Sequence, residues 1–179
     1  LYSVPIGGPA SATMKLSRPL AGPGSRVTGF LLSGDSSRVV YTMSNQCCAD
    51  GGELYSVAMA GPAGSAVKLA GAPLGSYKTI QDTSISPEGH RVVYRLDQDS
   101  VGQFALFSVP IVGPAAAAVR ISRQLADGGW VEDYRLAPAG GRVMYRITRI
   151  PYTALLYSVP VDGPGSSSVA LAEEPPPEG

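Results

Sequence analysis

One phrase returns four times along this chain of 179 residues: L-Y-S-V at Leu1, L-Y-S-V at Leu54, L-F-S-V at Leu106 and L-Y-S-V at Leu156. Successive copies begin 53, 52 and 50 residues apart (54 − 1, 106 − 54 and 156 − 106). A constant period of about fifty residues means a repeat architecture, in which each unit hides its apolar surface only by stacking on its neighbours. Other landmarks keep the same beat. Gly-Pro follows each phrase, at Gly8-Pro9, Gly61-Pro62, Gly113-Pro114 and Gly163-Pro164. A short apolar segment comes next, at Met14-Lys15-Leu16, Val67-Lys68-Leu69, Val119-Arg120-Ile121 and Val169-Ala170-Leu171. R-V-V-Y then occurs at Arg38 and Arg91, and R-V-M-Y at Arg142, each preceded by a cluster of turn formers.

These runs read as strands. In the L-Y-S-V phrase Tyr2, Val4 and Ile6 alternate with Leu1, Ser3 and Pro5, and the other copies repeat that alternation. A period of two places the large residues on one face of a strand. The R-V-V-Y runs are apolar at consecutive positions, which predicts a strand covered on both faces. β-Branched and aromatic residues dominate, and short runs bounded by Gly, Pro, Ser and Asp carry the strand signature. Ala115 to Ala118 has helical propensity but fills a slot that is Gly/Ser-rich in other copies, so it reads as loop or the lead-in to a strand. Pro5, Pro110 and Pro160 lack a ladder donor, which predicts a strand end or a bulge there. Four strands in each unit of about fifty residues make the blade of a β-propeller.

The turn and strand Ser86-Pro87-Glu88-Gly89-His90-Arg91-Val92-Val93-Tyr94 resembles the S-P-D-G motif of the WD40-like PD40 repeats found in TolB-like propellers. The L-[YF]-S-V phrase is similar to the next strand of that family, and Asp162-Gly163 keeps its following turn. Gly34-Asp35 and Ala139-Gly140 depart from the motif, although such residues still suit tight turns. The resemblance spans residues 1–172. It implies an all-β partial propeller: blades of four antiparallel strands A to D, three complete repeats and a C–D half blade. The expected units are 1–17 (half blade), 26–70, 78–122 and 130–172, with 173–179 a Pro-rich tail or linker. Three and a half blades fall short of the usual four to eight. The expectation is therefore a part of a longer polypeptide, a processed piece or one partner of an assembly.

Composition narrows the function. Fourteen basic and fourteen acidic residues balance to zero net charge, and no basic stripe supports nucleic-acid binding. Apolar runs are far too short for a transmembrane helix. Gly 22 and Pro 16 are spread with the period and mark turns.

Few residues carry chemistry. His90 is the single histidine and occupies a variable turn position, which excludes multi-histidine metal sites within this chain and argues against a Ser-His-Asp triad. Cys47 and Cys48 are adjacent: a vicinal disulfide and two free thiols both remain open. Asp97 to Gly102 resembles a calcium loop but has Val101 at a ligand position, so a solvated loop is the better reading. Asp82 and Asp133 occupy equivalent places near the start of strand A, preceded by Gln81 and Glu132. Strand A lines the channel of a propeller, so these groups are expected at one mouth, as a seat for a cation or basic segment or as ordinary polar lining. Trp130 and Arg135 in the same strand are anchor types for a binding surface.

The expectation is a noncatalytic, extracytoplasmic bacterial scaffold with no cofactor, binding a protein partner or further copies of its own repeat. The alternatives are the accessory propeller of a larger hydrolase, as in prolyl-oligopeptidase-like peptidases, and a subunit of a surface layer or filament. A hydrolase would show G-x-S-x-G on a strand-turn-helix, and this sequence holds none.

Overall fold

The structure is a computed structural model that describes residues 1–20, 22–44, 52–71, 79–97, 102–124, 129–149 and 153–172. It is all-β. Strands β1 (Tyr2–Ser3) and β2 (Met14–Lys15) form a two-stranded half blade. Blade 1 comprises β3 (Arg26–Leu32), β4 (Arg38–Ser44), β5 (Gly52–Ala58) and β6 (Val67–Gly71). Blade 2 comprises β7 (Ile80–Ile85), β8 (Arg91–Leu96), β9 (Ala105–Pro110) and β10 (Val119–Arg120). Blade 3 comprises β11 (Trp130–Leu136), β12 (Arg142–Arg149), β13 (Thr153–Pro160) and β14 (Val169–Ala170). Each blade is an antiparallel meander, and among the described residues no sheet closes on itself.

The register explains both sequence phrases. Tyr41 pairs with Tyr55, Tyr94 with Phe107 and Tyr145 with Tyr157. Each pair stacks, with ring centroids 5.5, 5.8 and 5.5 Å apart. Such offset stacking adds about 1 kcal/mol beyond the area it hides. The arginine that opens each R-V-V-Y run donates from Nε to the serine hydroxyl of the L-Y-S-V phrase. The distances are 2.8 Å for Arg38–Ser56, 2.7 Å for Arg91–Ser108 and 2.8 Å for Arg142–Ser158. A buried serine in an apolar strand needs such a partner, which is why Arg and Ser recur together.

Apolar layers lie between blades. The half blade sets Leu1 and Leu16 against Val39, Tyr41, Tyr55 and Val57 of blade 1. The other face of blade 1, with Val40, Leu54 and Leu69, meets Tyr94, Phe107 and Val109 of blade 2. Blade 2 in turn presents Val93, Leu106 and Ile121 to Tyr145, Tyr157 and Val159 of blade 3. Strands β4 and β8 are thus covered on both faces. β12 is not: Val143, Tyr145 and Ile147 are buried, while Arg142, Met144 and Arg146 are exposed, because the outer face of blade 3 meets no further sheet among the described residues.

The prolines of the L-Y-S-V phrases stand at strand ends. Pro110 and Pro160 are the last residues of β9 and β13, and Pro5 lies beyond β1. Ala115–Ala117 is neither loop nor the lead-in to a strand but a single 3-10 turn, and the same turn stands at Ala10–Ala12, Ala63–Ser65 and Gly165–Ser167. The preceding proline sets it in every copy. Its carbonyl accepts the amide three residues on, from Ala12, Ser65, Ala117 and Ser167, at 2.9 to 3.0 Å. The A–B turns also share one conformation. Gly89 and Gly140 have φ of +75° and +73°, and Ser36 stands in their place at +56°.

Candidate functional site

The first strand of each blade carries a β-bulge near its start, between Val27 and Gly29, Gln81 and Ser84, and Val131 and Asp133. A bulge turns local side chains out of the regular alternation. In blade 2 this leaves Asp82 at a positive φ of 45° with its carboxylate 58% exposed. In blade 3 it brings Asp133 opposite Arg146.

Arg95 on β8 organises this region. Its side chain is 12% exposed, and its guanidinium forms an ion pair with Asp82. It also donates to the Gln81 amide oxygen at 3.2 Å, to the Val131 carbonyl at 2.9 Å and to the Glu132 carbonyl. The Phe104 ring lies beneath it, 5.3 Å from the guanidinium carbon. One side chain therefore ties the first strand of blade 2 to that of blade 3. Tyr134 adds a second tie. Its hydroxyl lies 3.0 Å from the Val93 carbonyl, close to the Asp82 carbonyl, and 3.0 Å from the Ser84 hydroxyl. Burial pushes the Tyr134 phenol up to about 12, partly offset by the Ser84 hydrogen bond.

The pattern repeats with the blades. Asp133 accepts from Arg146 at 2.9 Å, as Asp82 does from Arg95. The equivalent pair in blade 1 is Gly29 opposite Thr42. Where that ion pair is missing, a cavity of about 280 Å³ opens, lined by Thr28, Phe30, Leu31, Thr42, Ile80 and Asp82. Next to Asp133, the Glu132 carboxylate accepts from the Trp130 indole at 3.1 Å and from the Thr148 hydroxyl at 3.2 Å. Arg135 donates to the Tyr134 carbonyl at 2.8 Å.

All six residues singled out from the sequence, Gln81, Asp82, Trp130, Glu132, Asp133 and Arg135, lie on the first strands of blades 2 and 3. Their carboxylates do not converge on one point. Each is engaged separately, two by guanidinium groups and one by the indole and a hydroxyl, so a cation there competes with neighbours already in place. Among the described residues no group of three or more His, Cys, Asp or Glu is placed to hold a metal ion. Arg95, Arg146 and Tyr134 were not anticipated. The signal for the arginines was present, since R-V-V-Y-R and R-V-M-Y-R each end thirteen residues after the aspartate (95 − 82 and 146 − 133).

The remaining candidates lie elsewhere. Cys47 and Cys48 fall outside the described residues. Asp97 is buried, with one carboxylate oxygen accepting the Thr79 amide and the other the Gly102 amide at 3.1 Å, so its lone pairs serve the loop backbone. His90 is exposed beside a shallow cavity with Glu88, Arg91 and Asp162. The adjacent Ser86 hydroxyl is occupied in the turn by the Arg91 amide at 3.1 Å.

Repeated four-stranded blades with a polar ladder along their first strands define a class, the β-propeller. Within that class the fold is TolB-like. A TolB structure from Agrobacterium tumefaciens aligns with a TM-score of 0.52 at 17% identity, covering 89% of this chain and 51% of that one. TolB from Acinetobacter baumannii aligns at 0.52 and 11% identity over 81% of this chain and 32% of that one. Oligopeptidase B from Leishmania major aligns at 0.61 and 10% identity over 95% of this chain and 23% of that one. The chain thus spans about half of the first of these structures and a third or less of the others. No family model matches the sequence, and no curated protein is significantly similar to it. No helix among the described residues is long and apolar enough to cross a membrane.

Proposed function

We propose that this chain is a noncatalytic, extracytoplasmic propeller scaffold that binds a protein partner along the first strands of its blades. The open cavity between the first strands of blades 1 and 2 carries the reading. It interrupts the Asp–Arg ladder at Gly29 and Thr42 and sets exposed Phe30 and Leu31 beside the Asp82 carboxylate. Apolar walls suit an apolar side chain on a partner segment, and a basic residue beside it would share the Asp82 carboxylate with Arg95. Trp130, Glu132 and Arg135 extend the same surface toward blade 3. A photo-crosslinking residue at Phe30, in the protein expressed by its source, is expected to capture one discrete partner. Leu31→Glu is expected to abolish that capture. Hydrolysis of a peptide or glycoside substrate that a single substitution in this chain abolishes would overturn the noncatalytic reading.

The alignment to oligopeptidase B favours a second reading, the accessory propeller of a larger hydrolase. The intact denatured mass of the protein from its source separates the two. A mass that leaves room for a hydrolase domain, with G-x-S-x-G in the added sequence, supports the second; a mass near 18.5 kDa removes it.

A further inference from the structure

The last strands of the blades lead into a repeated phrase. Leu16-Ser17-Arg18 closes the half blade and Ile121-Ser122-Arg123 closes blade 2, but blade 1 has Leu69-Ala70-Gly71. Each arginine performs two tasks on the next blade. Its amide donates to a phenol, Arg18 to Tyr41 and Arg123 to Tyr145, both at 3.1 Å. Its guanidinium covers the ring stacked on that phenol, 5.7 Å from the Tyr55 centroid and 5.4 Å from that of Tyr157. Gly71 performs neither. It prolongs β6, pairs with Glu53 at a φ of +137°, and has no side chain to lay on Phe107.

At that place the junction between blades 1 and 2 holds a cavity of about 430 Å³. Leu69, Leu96 and Phe107 supply apolar walls, while Tyr94 and Arg120 bring polar groups. Tyr94 is 2% exposed, yet its hydroxyl bonds no described residue, whereas those of Tyr41 and Tyr145 are engaged. Burial raises its phenol to about 12 with no hydrogen bond to offset it, whereas Ser168 and Arg123 offset the same effect at Tyr145. Leaving a buried hydroxyl unsatisfied costs free energy, so the site favours a guest that accepts its proton. Arg120 stands opposite Phe107 in the ladder and sets a cation beside it. In blade 1 the equivalent Lys68 meets Glu53 at 2.6 Å; the residue at Glu53's place in blade 2 is Ala105.

We propose that this cavity binds a small amphiphilic carboxylate, its apolar body against Leu69, Leu96 and Phe107 and its anionic head between the Tyr94 hydroxyl and the Arg120 guanidinium. The volume falls in the range of small-molecule pockets, whose usual lining is apolar with a few polar groups that fix orientation. The phenol donates to the carboxylate, and Arg120 adds a charge-assisted bond. The guest fills the space that Arg18 and Arg123 fill at the sister junctions. This cavity shares no lining residue with the one at Phe30 and Leu31, so the inference stands independently of the partner reading.

Titration with phenylpropionate, followed through backbone amide NMR, tests it, with the neutral phenylpropionamide as control. Saturable shifts are expected at Gly71, Leu96 and Ala118, with a Kd of about 1 mM or tighter. The amide is expected to bind about tenfold more weakly. Tyr94→Phe removes only the hydroxyl. It is expected to weaken phenylpropionate about tenfold and to leave the urea midpoint unchanged or raised, because no bond within the protein is lost. Arg120→Met is expected to weaken binding at least as much. Shifts that do not saturate, or that fall at Phe30 and Leu31 instead, overturn the inference. So does an amide that binds as tightly as the acid, either variant binding like the wild type, or a lowered midpoint in Tyr94→Phe.

Discussion

Leu54, Leu106 and Leu156 are the same letter of the same phrase in three different surroundings, so the blade-stacking account can be tested by one substitution made three times. Leu106 is 0% exposed and packs between blades 2 and 3 with Val93 and Ile121. Replacing it by alanine removes three carbons from a closed site. Transfer costs about 2.4 kcal/mol, and the unfilled cavity raises the total to about 3–4 kcal/mol. Leu54, also 0% exposed between blades 1 and 2, is expected to behave alike. Leu156 is 41% exposed. Roughly three-fifths of the transfer term applies there and water fills the space, so the cost is about 1.4 kcal/mol. The assay is urea unfolding, comparing midpoints at a slope unchanged by mutation. Equal losses at all three positions would refute the assignment of the open face. A loss below about 1 kcal/mol at Leu106 would refute the stacking itself.

The rest of the structure yields four further expectations. Arg95→Met is expected to cost about 2–3 kcal/mol, by leaving the Val131 and Glu132 carbonyls and Asp82 without their donor, whereas Arg146→Met at its exposed pair costs under about 0.5 kcal/mol; denaturant midpoints compare them. Ser36→Gly is expected to stabilise by about 0.5 kcal/mol in a thermal melt, since a serine at φ of +56° bears a left-handed strain that Gly89 and Gly140 avoid. Gly163→Ala adds a clash with Val119 and Ile121 to a positive φ and is expected to cost more than Gly89→Ala, where nothing lies within 4 Å of the added carbon. Burial raises the phenols of Tyr94 and Tyr134 to about 12, and burial with the Glu53 carboxylate does the same for Tyr55. Their contribution is complete below the unfolded value near 10 and is lost as pH climbs from there through 12, so ultraviolet phenolate titration should show late ionisation coupled to unfolding.

The blades were legible because period, turn chemistry and alternation all pointed the same way, and stacking left no freedom to contradict them. Arg38, Arg91 and Arg142 each open one phrase and bind the serine of the next, so the two letters recur together although 18, 17 and 16 residues separate them. What the sequence obscured was geometry created by irregularity. A bulge shifts facing by one residue, and the equivalence of Asp82 and Asp133 in the sequence did not show that each lies beside its own arginine. The 3-10 turn at Ala115–Ala117 was hidden for a related reason. Its cause is the carbonyl of the proline before it, and side-chain propensity within the turn is irrelevant.

The same irregularity separates the positions that stack from those that do not. Regular positions of the repeat, such as Leu54, Tyr55 and Val57, are satisfied by the neighbouring blade. The bulged positions escape that rule and are satisfied by long side chains such as Arg95, which reach across to the next first strand. Blade 1 lacks that long side chain because it has Thr42 in its place, and there a cavity opens. Divergence between copies at a regular position would cost core packing and be opposed by stability. At a bulged position it changes the polar ties between first strands, such as those of Arg95 to the Val131 and Glu132 carbonyls, and leaves the apolar layers between blades in place. At Gly29 and Thr42, where blade 1 carries no such tie, divergence has opened a cavity while the apolar layer of Val40, Leu54 and Leu69 is kept.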